Sequence, residues 1–158
     1  MTDEDYIDIT IEISKTAKFP YGAIIVKENK IIGRSDKATL MPQTLFTHAE
    51  LYAMEDAANN KNLYGELSGA TLYTSCEPCM MCIGALLYEG ITKIVYAATL
   101  QDSNDFYSHE NISPIKELAK YANHPIEIIG EINRNKAIEV LKIAKSKQME
   151  NTFTFIEK

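Results

Sequence analysis

The sequence has too few cysteines for a disulfide framework: three in 158 residues, an odd number. Two of them, Cys79 and Cys82, stand at metal-ligand spacing. That usage points to a reducing compartment and to metal rather than to disulfides, and a cytoplasmic location is the default expectation. Basic residues are also in the minority, with 16 Lys and Arg against 22 Asp and Glu and a formal net charge of −6. A protein that lives on a phosphate backbone usually shows a basic face, so the balance weighs against a nucleic-acid substrate. Lys136, Lys142, Lys145 and Lys147 form the densest basic cluster, and it reads as a solvated helix face. No apolar run is long enough to span a membrane. The start, Met1-Thr2-Asp3-Glu4-Asp5, lacks the basic residues and apolar run of a signal peptide. Internal repeats, low-complexity stretches and linkers are absent, so residues 1–158 are expected to form a single domain.

What is present is an ordinary globular composition, 46% hydrophobic and 24% charged. Thr2 and Asp5 resemble a capping box, and Tyr6, Ile9, Ile13 and Ala17 recur at helical spacing, predicting a helix over 3–17. Gly22 to Val26 and Ile31 to Gly33 flank a polar turn and read as a hairpin. Residues 34–47 have no period and read as a loop. A helix is expected from His48 to about Asn60, a strand around 70–73, a helix from Met81 to Glu89 ended by Gly90 at the C′ position, and a strand over 93–98. Residues 99–113 read as a long polar loop of the kind that often carries function. Ser113-Pro114 looks like the start of a short helix to Ala122. A strand over 125–130, a helix over 133–147 and a strand-like tail over 151–156 complete the chain. Strands alternating with helices after an opening hairpin predict an α/β three-layer sandwich: a five-stranded mixed sheet with helices on both faces.

The chemistry concentrates in two stretches. One is His48-Ala49-Glu50; the other is Cys76-Glu77-Pro78-Cys79-Met80-Met81-Cys82. Cysteines three apart at a helix start share one face, and a helix N-terminus favours thiolate. His48, Cys79 and Cys82 offer three zinc ligands and leave a fourth position open, as catalytic zinc sites do. Cys76 could instead close a structural site, and a Cys-x-x-Cys pair could be redox-active. Glu50 separates these readings, because a structural site needs no carboxylate beside its histidine and a hydrolytic one needs a proton carrier. Such a site suits hydrolytic deamination: water adds to an amidine-like ring carbon, Glu50 passes its proton to the ring nitrogen and then to the leaving amine, and ammonia departs.

The His-x-Glu … Pro-Cys-x-x-Cys pattern is the zinc deaminase signature. With Phe19-Pro20-Tyr21-Gly22-Ala23-Ile24-Ile25-Val26 and Leu72-Tyr73-Thr74-Ser75, it makes residues 5–100 resemble the cytidine deaminase-like superfamily, nearest its guanine, cytosine, nucleoside and tRNA adenosine deaminases. The resemblance implies one zinc per chain on His48, Cys79 and Cys82, Glu50 as proton shuttle, the Ala49 backbone N–H on the base, and a homodimer. It implies a nucleobase or nucleoside substrate, with guanine the leading reading because an aromatic residue, Tyr21, follows Pro20. A tRNA adenosine deaminase and a zinc-stabilised binding module without catalysis are the alternatives. Relatives carry an Asn eleven residues before the histidine, where this chain has Lys37. The Phe-Asp-Asp loop of guanine deaminases is replaced by Asn104-Asp105-Phe106-Tyr107. Tyr21, Lys37, Ala49, Asp105 and Phe106 are therefore the expected substrate-binding set.

Overall fold

A computed structural model describes residues 1–37, 48–61, 67–107 and 115–156. Helix α1 (Asp3–Thr16) starts at the expected capping box, in which Thr2 and Asp5 satisfy each other's backbone N–H groups. Asp3, Glu4 and Asp5 in its first turn and Lys15 in its last complement the helix dipole. Its buried face is Tyr6, Ile7, Thr10, Ile11, Ile13 and Ser14, which keeps Tyr6 and Ile13 of the predicted stripe and leaves Ile9 half-buried and Ala17 outside it. Ala17 is the exposed C-cap, because Thr10 and Ser14 turn their hydroxyls onto the helix's own carbonyls, those of Ile7 and Ile11, and can be buried.

Strands β1 (Ala23–Lys27) and β2 (Lys30–Arg34) form the expected hairpin, turned by Glu28 and Asn29 in the left-handed region at φ 51° and 59°. Helix α2 (Ala49–Lys61) follows, then β3 (Thr71–Cys76), α3 (Met80–Tyr88) and β4 (Lys93–Ala98). Gly90, at φ 78°, ends α3 as expected. The sheet order is β2-β1-β3-β4-β5, with β5 at Glu127–Ile129. β1 pairs antiparallel with β2 and β3, whereas β3–β4 and β4–β5 are parallel. The expected five-stranded mixed sheet is thus correct, and the fold is an α/β three-layer sandwich.

Both faces of the sheet are covered, as parallel strands require. One apolar cluster joins Ala53 and Ala57 of α2, Ile83 and Leu86 of α3 and Ile115 to Ile25, Leu72 and Ile94. The other joins Ile7 and Ile11 of α1 and Val140 and Leu141 of α6 (Arg134–Ile156) to Ile24, Tyr73 and Val95. α2 lies unusually close to β2: a Cβ on Gly33 would stand 2.1 Å from the Ala53 carbonyl oxygen. That approach sets the height of α2 over the sheet.

Two expectations need correction, and that of a short helix before Ala122 is met. Residues 99–113 are not all loop, because Thr99 and Asp102 form a second capping box that starts α4 (Leu100–Asn104). The short helix is α5 (Ile115–Leu118) followed by a 3₁₀ turn (Ala119–Tyr121); its expected Ser113-Pro114 start lies outside the described residues. The tail over 151–156 is not a strand but the end of α6. A helix already formed gains one hydrogen bond per added residue, which outweighs a short aromatic alternation. Among the described residues, no helix is long and apolar enough to cross a membrane.

Candidate active site

The site lies at the carboxyl end of β3, the edge where open α/β sheets place their ligands. His48 and Cys79 each occupy a helix start. The His48 carbonyl accepts from Tyr52 N–H at 3.0 Å, and the Cys79 carbonyl from Ile83 N–H at 2.9 Å. Cys79 is the N-cap of α3 and makes no side-chain cap bond, so its sulfur stays available. It lies 3.6 Å from the Cys82 sulfur one turn on and 3.5 Å from His48 Nδ1. Cys82 Sγ is 3.4 Å from the same nitrogen. These three are the group of potential metal ligands that converges among the described residues.

The triangle fits zinc. A tetrahedral ion with Zn–S of about 2.3 Å and Zn–N of about 2.05 Å requires S–S edges of about 3.8 Å and S–N edges of about 3.6 Å. The donor set is also the soft one that zinc prefers. The Cys82 and His48 hydrogen bonds hold the Cys79 thiol well below the usual range, whereas the bond to Cys79, together with burial, pushes Cys82 up. A divalent cation would favour the thiolate form of both sulfurs and displace their protons. Cys76 does not join them. It is buried, its thiol donates to the Thr99 carbonyl at 3.7 Å, and burial pushes its pKa far up.

Glu50 is buried beside this triangle, with 6% of its surface exposed. Its Oε2 is 3.6 Å from Cys82 Sγ and its Oε1 is 3.4 Å from Thr74 Oγ1. Burial pushes its carboxyl up, towards the range of a group that both takes and gives a proton. Thr74, which the sequence did not single out, is held by the Cys76 carbonyl at 3.0 Å.

A family described as MafB19-like deaminase matches residues 8–152. The chain belongs to this deaminase family. Among its relatives, the tRNA-specific adenosine deaminase of Buchnera aphidicola is 32% identical over 129 residues, covering 80% of each chain. The guanine deaminase of Bacillus subtilis is 37% identical over 84 residues, covering 53% of each. The solved structure of guanine deaminase from Nitrosomonas europaea superposes with a TM-score of 0.76 at 20% identity, over 92% of this chain and 85% of that one. The last likeness shows the fold alone.

Within this deaminase fold, the expected substrate-binding residues separate into two groups. Tyr21 and Ala49 line a cavity of about 350 Å³ with Phe19, Ser35, Asp36 and Tyr52. Ala49 lies between His48 and Glu50 in the chain, but among the described residues His48, Glu50, Cys79 and Cys82 do not line this cavity. The Tyr21 hydroxyl is 2.8 Å from Ser103 Oγ, and burial pushes its pKa up. Lys37 is exposed in the turn after β2, its N–H donating to the Arg34 carbonyl at 3.2 Å. Asp105 is exposed at the end of α4, and Phe106 packs against the α1–α6 cluster. These three are not gathered around the triangle. The neighbour that the sequence pattern did not reveal is Asp36, fixed by two bonds from Arg34, Nε to Oδ1 at 2.9 Å and Nη2 to Oδ2 at 3.1 Å.

Proposed function

We propose that this deaminase hydrolyses the amino group of a purine or pyrimidine base or nucleoside to a carbonyl, with guanine the leading substrate. The observation that carries the reading is a buried carboxylate, Glu50, beside a convergent His48–Cys79–Cys82 triangle. In this reading those three residues hold one zinc ion, which supplies Lewis-acid activation of water at neutral pH. Glu50 takes the proton from the attacking water and delivers it to the ring nitrogen. It then takes the second proton from the hydroxyl of the adduct and passes it to the amine, so that the carbonyl forms as the C–N bond breaks and ammonia leaves. Thr74, whose one hydroxyl proton faces the Cys76 carbonyl at 3.0 Å, stands 3.4 Å from one carboxylate oxygen and leaves the other for proton traffic. The Ala49 backbone N–H is the base contact in this scheme, and Tyr21 walls the base from the side. Deep burial excludes bulk water, which strengthens each of these interactions.

Guanine is supported by the Phe19-Pro20-Tyr21-Gly22 stretch, by the acidic balance of the chain and by the Bacillus subtilis relative. Ammonia release from guanine, adenine, cytosine and their nucleosides by zinc-loaded protein tests it. Absence of turnover on the whole panel would sink it. A tRNA adenosine deaminase is the second reading, favoured by the Buchnera aphidicola relative, and inosine formation in purified tRNA decides it. A homodimer belongs to the first reading, supported by the exposed Met80 at the start of α3 and the exposed Tyr88 at its end, which shares a surface hollow with Tyr121; sedimentation tests it.

A further inference from the structure

Tyr21 stands where the backbone is pinned to β3. The next residue, Gly22, donates its N–H to Ser75 Oγ and accepts from Ser75 N–H, both at 2.9 Å. The backbone does not fix the ring. Its edge meets Tyr107 at 6.2 Å between centroids, and its hydroxyl meets Ser103 at 2.8 Å. Ser103 is fully buried on α4. α4 has five residues, too few to persist unaided, and is anchored from outside. Glu77, in the cysteine motif, accepts from Leu100 N–H at 3.1 Å. Arg134 at the start of α6 grips both Asp102 oxygens, Nε at 2.8 Å and Nη2 at 2.7 Å. A continuous path of hydrogen bonds and one short helix thus joins α6 to a wall of the cavity.

We propose that Ser103 and Arg134 are positioning residues for substrate: Arg134 fixes α4 through Asp102, and Ser103 on α4 fixes the Tyr21 ring against the bound base. Neither touches the reacting atoms. Their effect falls on binding, so KM responds more than kcat. Loss of the Ser103–Tyr21 bond is worth about a fivefold rise in KM, the size of one neutral hydrogen bond. Arg134 acts one step further away, and its loss is worth about twofold to fivefold.

The inference rests on the deaminase reading, and the experiment separates the two. KM and kcat are measured on zinc-loaded full chain for wild type, Ser103→Ala, Tyr21→Phe, their double variant, Arg134→Met and Arg134→Lys, using the best substrate of the panel. Each of the first two variants should raise KM with a smaller fall in kcat. The double variant should be no worse than Ser103→Ala alone, which removes the Tyr21 bond and also the Ser103 contact to Cys76. Arg134→Lys should lie between wild type and Arg134→Met. Additive effects of Ser103→Ala and Tyr21→Phe, or an unchanged KM in either, would overturn the proposal. Should Ser103→Ala lose zinc or fold poorly, Tyr21→Phe and Arg134→Met decide the same question. Wild-type inactivity on every substrate would sink the deaminase reading itself, and guanine Kd by calorimetry on the same variants then replaces KM.

Discussion

Glu50→Gln is the sharpest perturbation of this site. Glutamine has the length and shape of the glutamate it replaces, so the backbone of α2 and the packing around a 6%-exposed side chain are kept. Its amide oxygen keeps the 3.4 Å contact that Glu50 Oε1 makes with the Thr74 hydroxyl. The other end, 3.6 Å from Cys82 Sγ, becomes an NH₂ that cannot accept a proton. General acid–base catalysis by one positioned group is worth about 10²- to 10⁴-fold, or about 3–5 kcal/mol of barrier. Glu50 carries two successive transfers in the proposed reaction, so the loss should sit at the upper end, near 10⁴-fold. Zinc content should remain one per chain, because the three converging ligands are untouched. Stability should change by under about 2 kcal/mol, the cost of one poorly paired buried amide. Coupled ammonia release gives the first quantity, metal analysis the second and urea unfolding the third. A Glu50→Gln protein with full zinc and turnover within tenfold of wild type would refute the assignment of Glu50 as the proton carrier.

Asp102→Asn should destabilise the protein at neutral pH. Hydrogen bonds from Arg134, with help from Thr99, hold the Asp102 carboxyl down at about 2 against its ordinary 3.8. That difference bounds its contribution at about 2.5 kcal/mol; screening at Arg134, whose side chain is 42% exposed, reduces it to about 1 kcal/mol. A depressed carboxyl contributes above its unfolded value and loses the contribution as pH falls towards the folded one. The gap between wild type and variant in urea should therefore shrink from pH 7 to pH 3 and close near pH 2; a gap that widens contradicts the pairing. Gly22→Ala should cost about 3 kcal/mol or more, because a Cβ there would stand 2.1 Å from the Thr10 carbonyl oxygen and 2.9 Å from Ser14 N. A loss under 1 kcal/mol would mean that α1 sits further from β1 than these distances. Chelation should abolish ammonia release and lower the melting temperature, with zinc restoring both; activity that persists after metal analysis shows none would refute a metal-dependent reaction. Cys79→Ser should weaken zinc binding, measured by competition with a chromogenic chelator, and unchanged affinity would remove Cys79 from the ligand set.

The site was legible because its signal is local. Cys79 and Cys82 share a helix face by spacing alone, and both His48 and Cys79 fall at helix starts that an apolar pattern reveals. The missed features depend on contacts across the chain. Thr74 reaches Glu50 over 24 positions and Tyr21 reaches Ser103 over 82, and no periodicity records such pairs. Helix α4 had its Thr99–Asp102 capping signal in plain view, but the surrounding polarity read as loop. Thr10 and Ser14 show the same limit: a hydroxyl can line the buried face of α1 once its partner is the helix's own carbonyl.

The sequence by itself determined most of the strand–helix order, the mixed sheet and the three converging side chains that could hold a metal beside Glu50, because period and spacing are short-range properties. Only the tertiary structure decided which residues wall the cavity, why Cys76 stands outside the metal triangle, and that Arg134 of α6 reaches α4 through Asp102. Those outcomes depend on where packed layers bring distant side chains. The tail over 151–156 followed the helix it extended, not its own alternation, since a hydrogen-bonded ladder already in place outweighs a six-residue pattern.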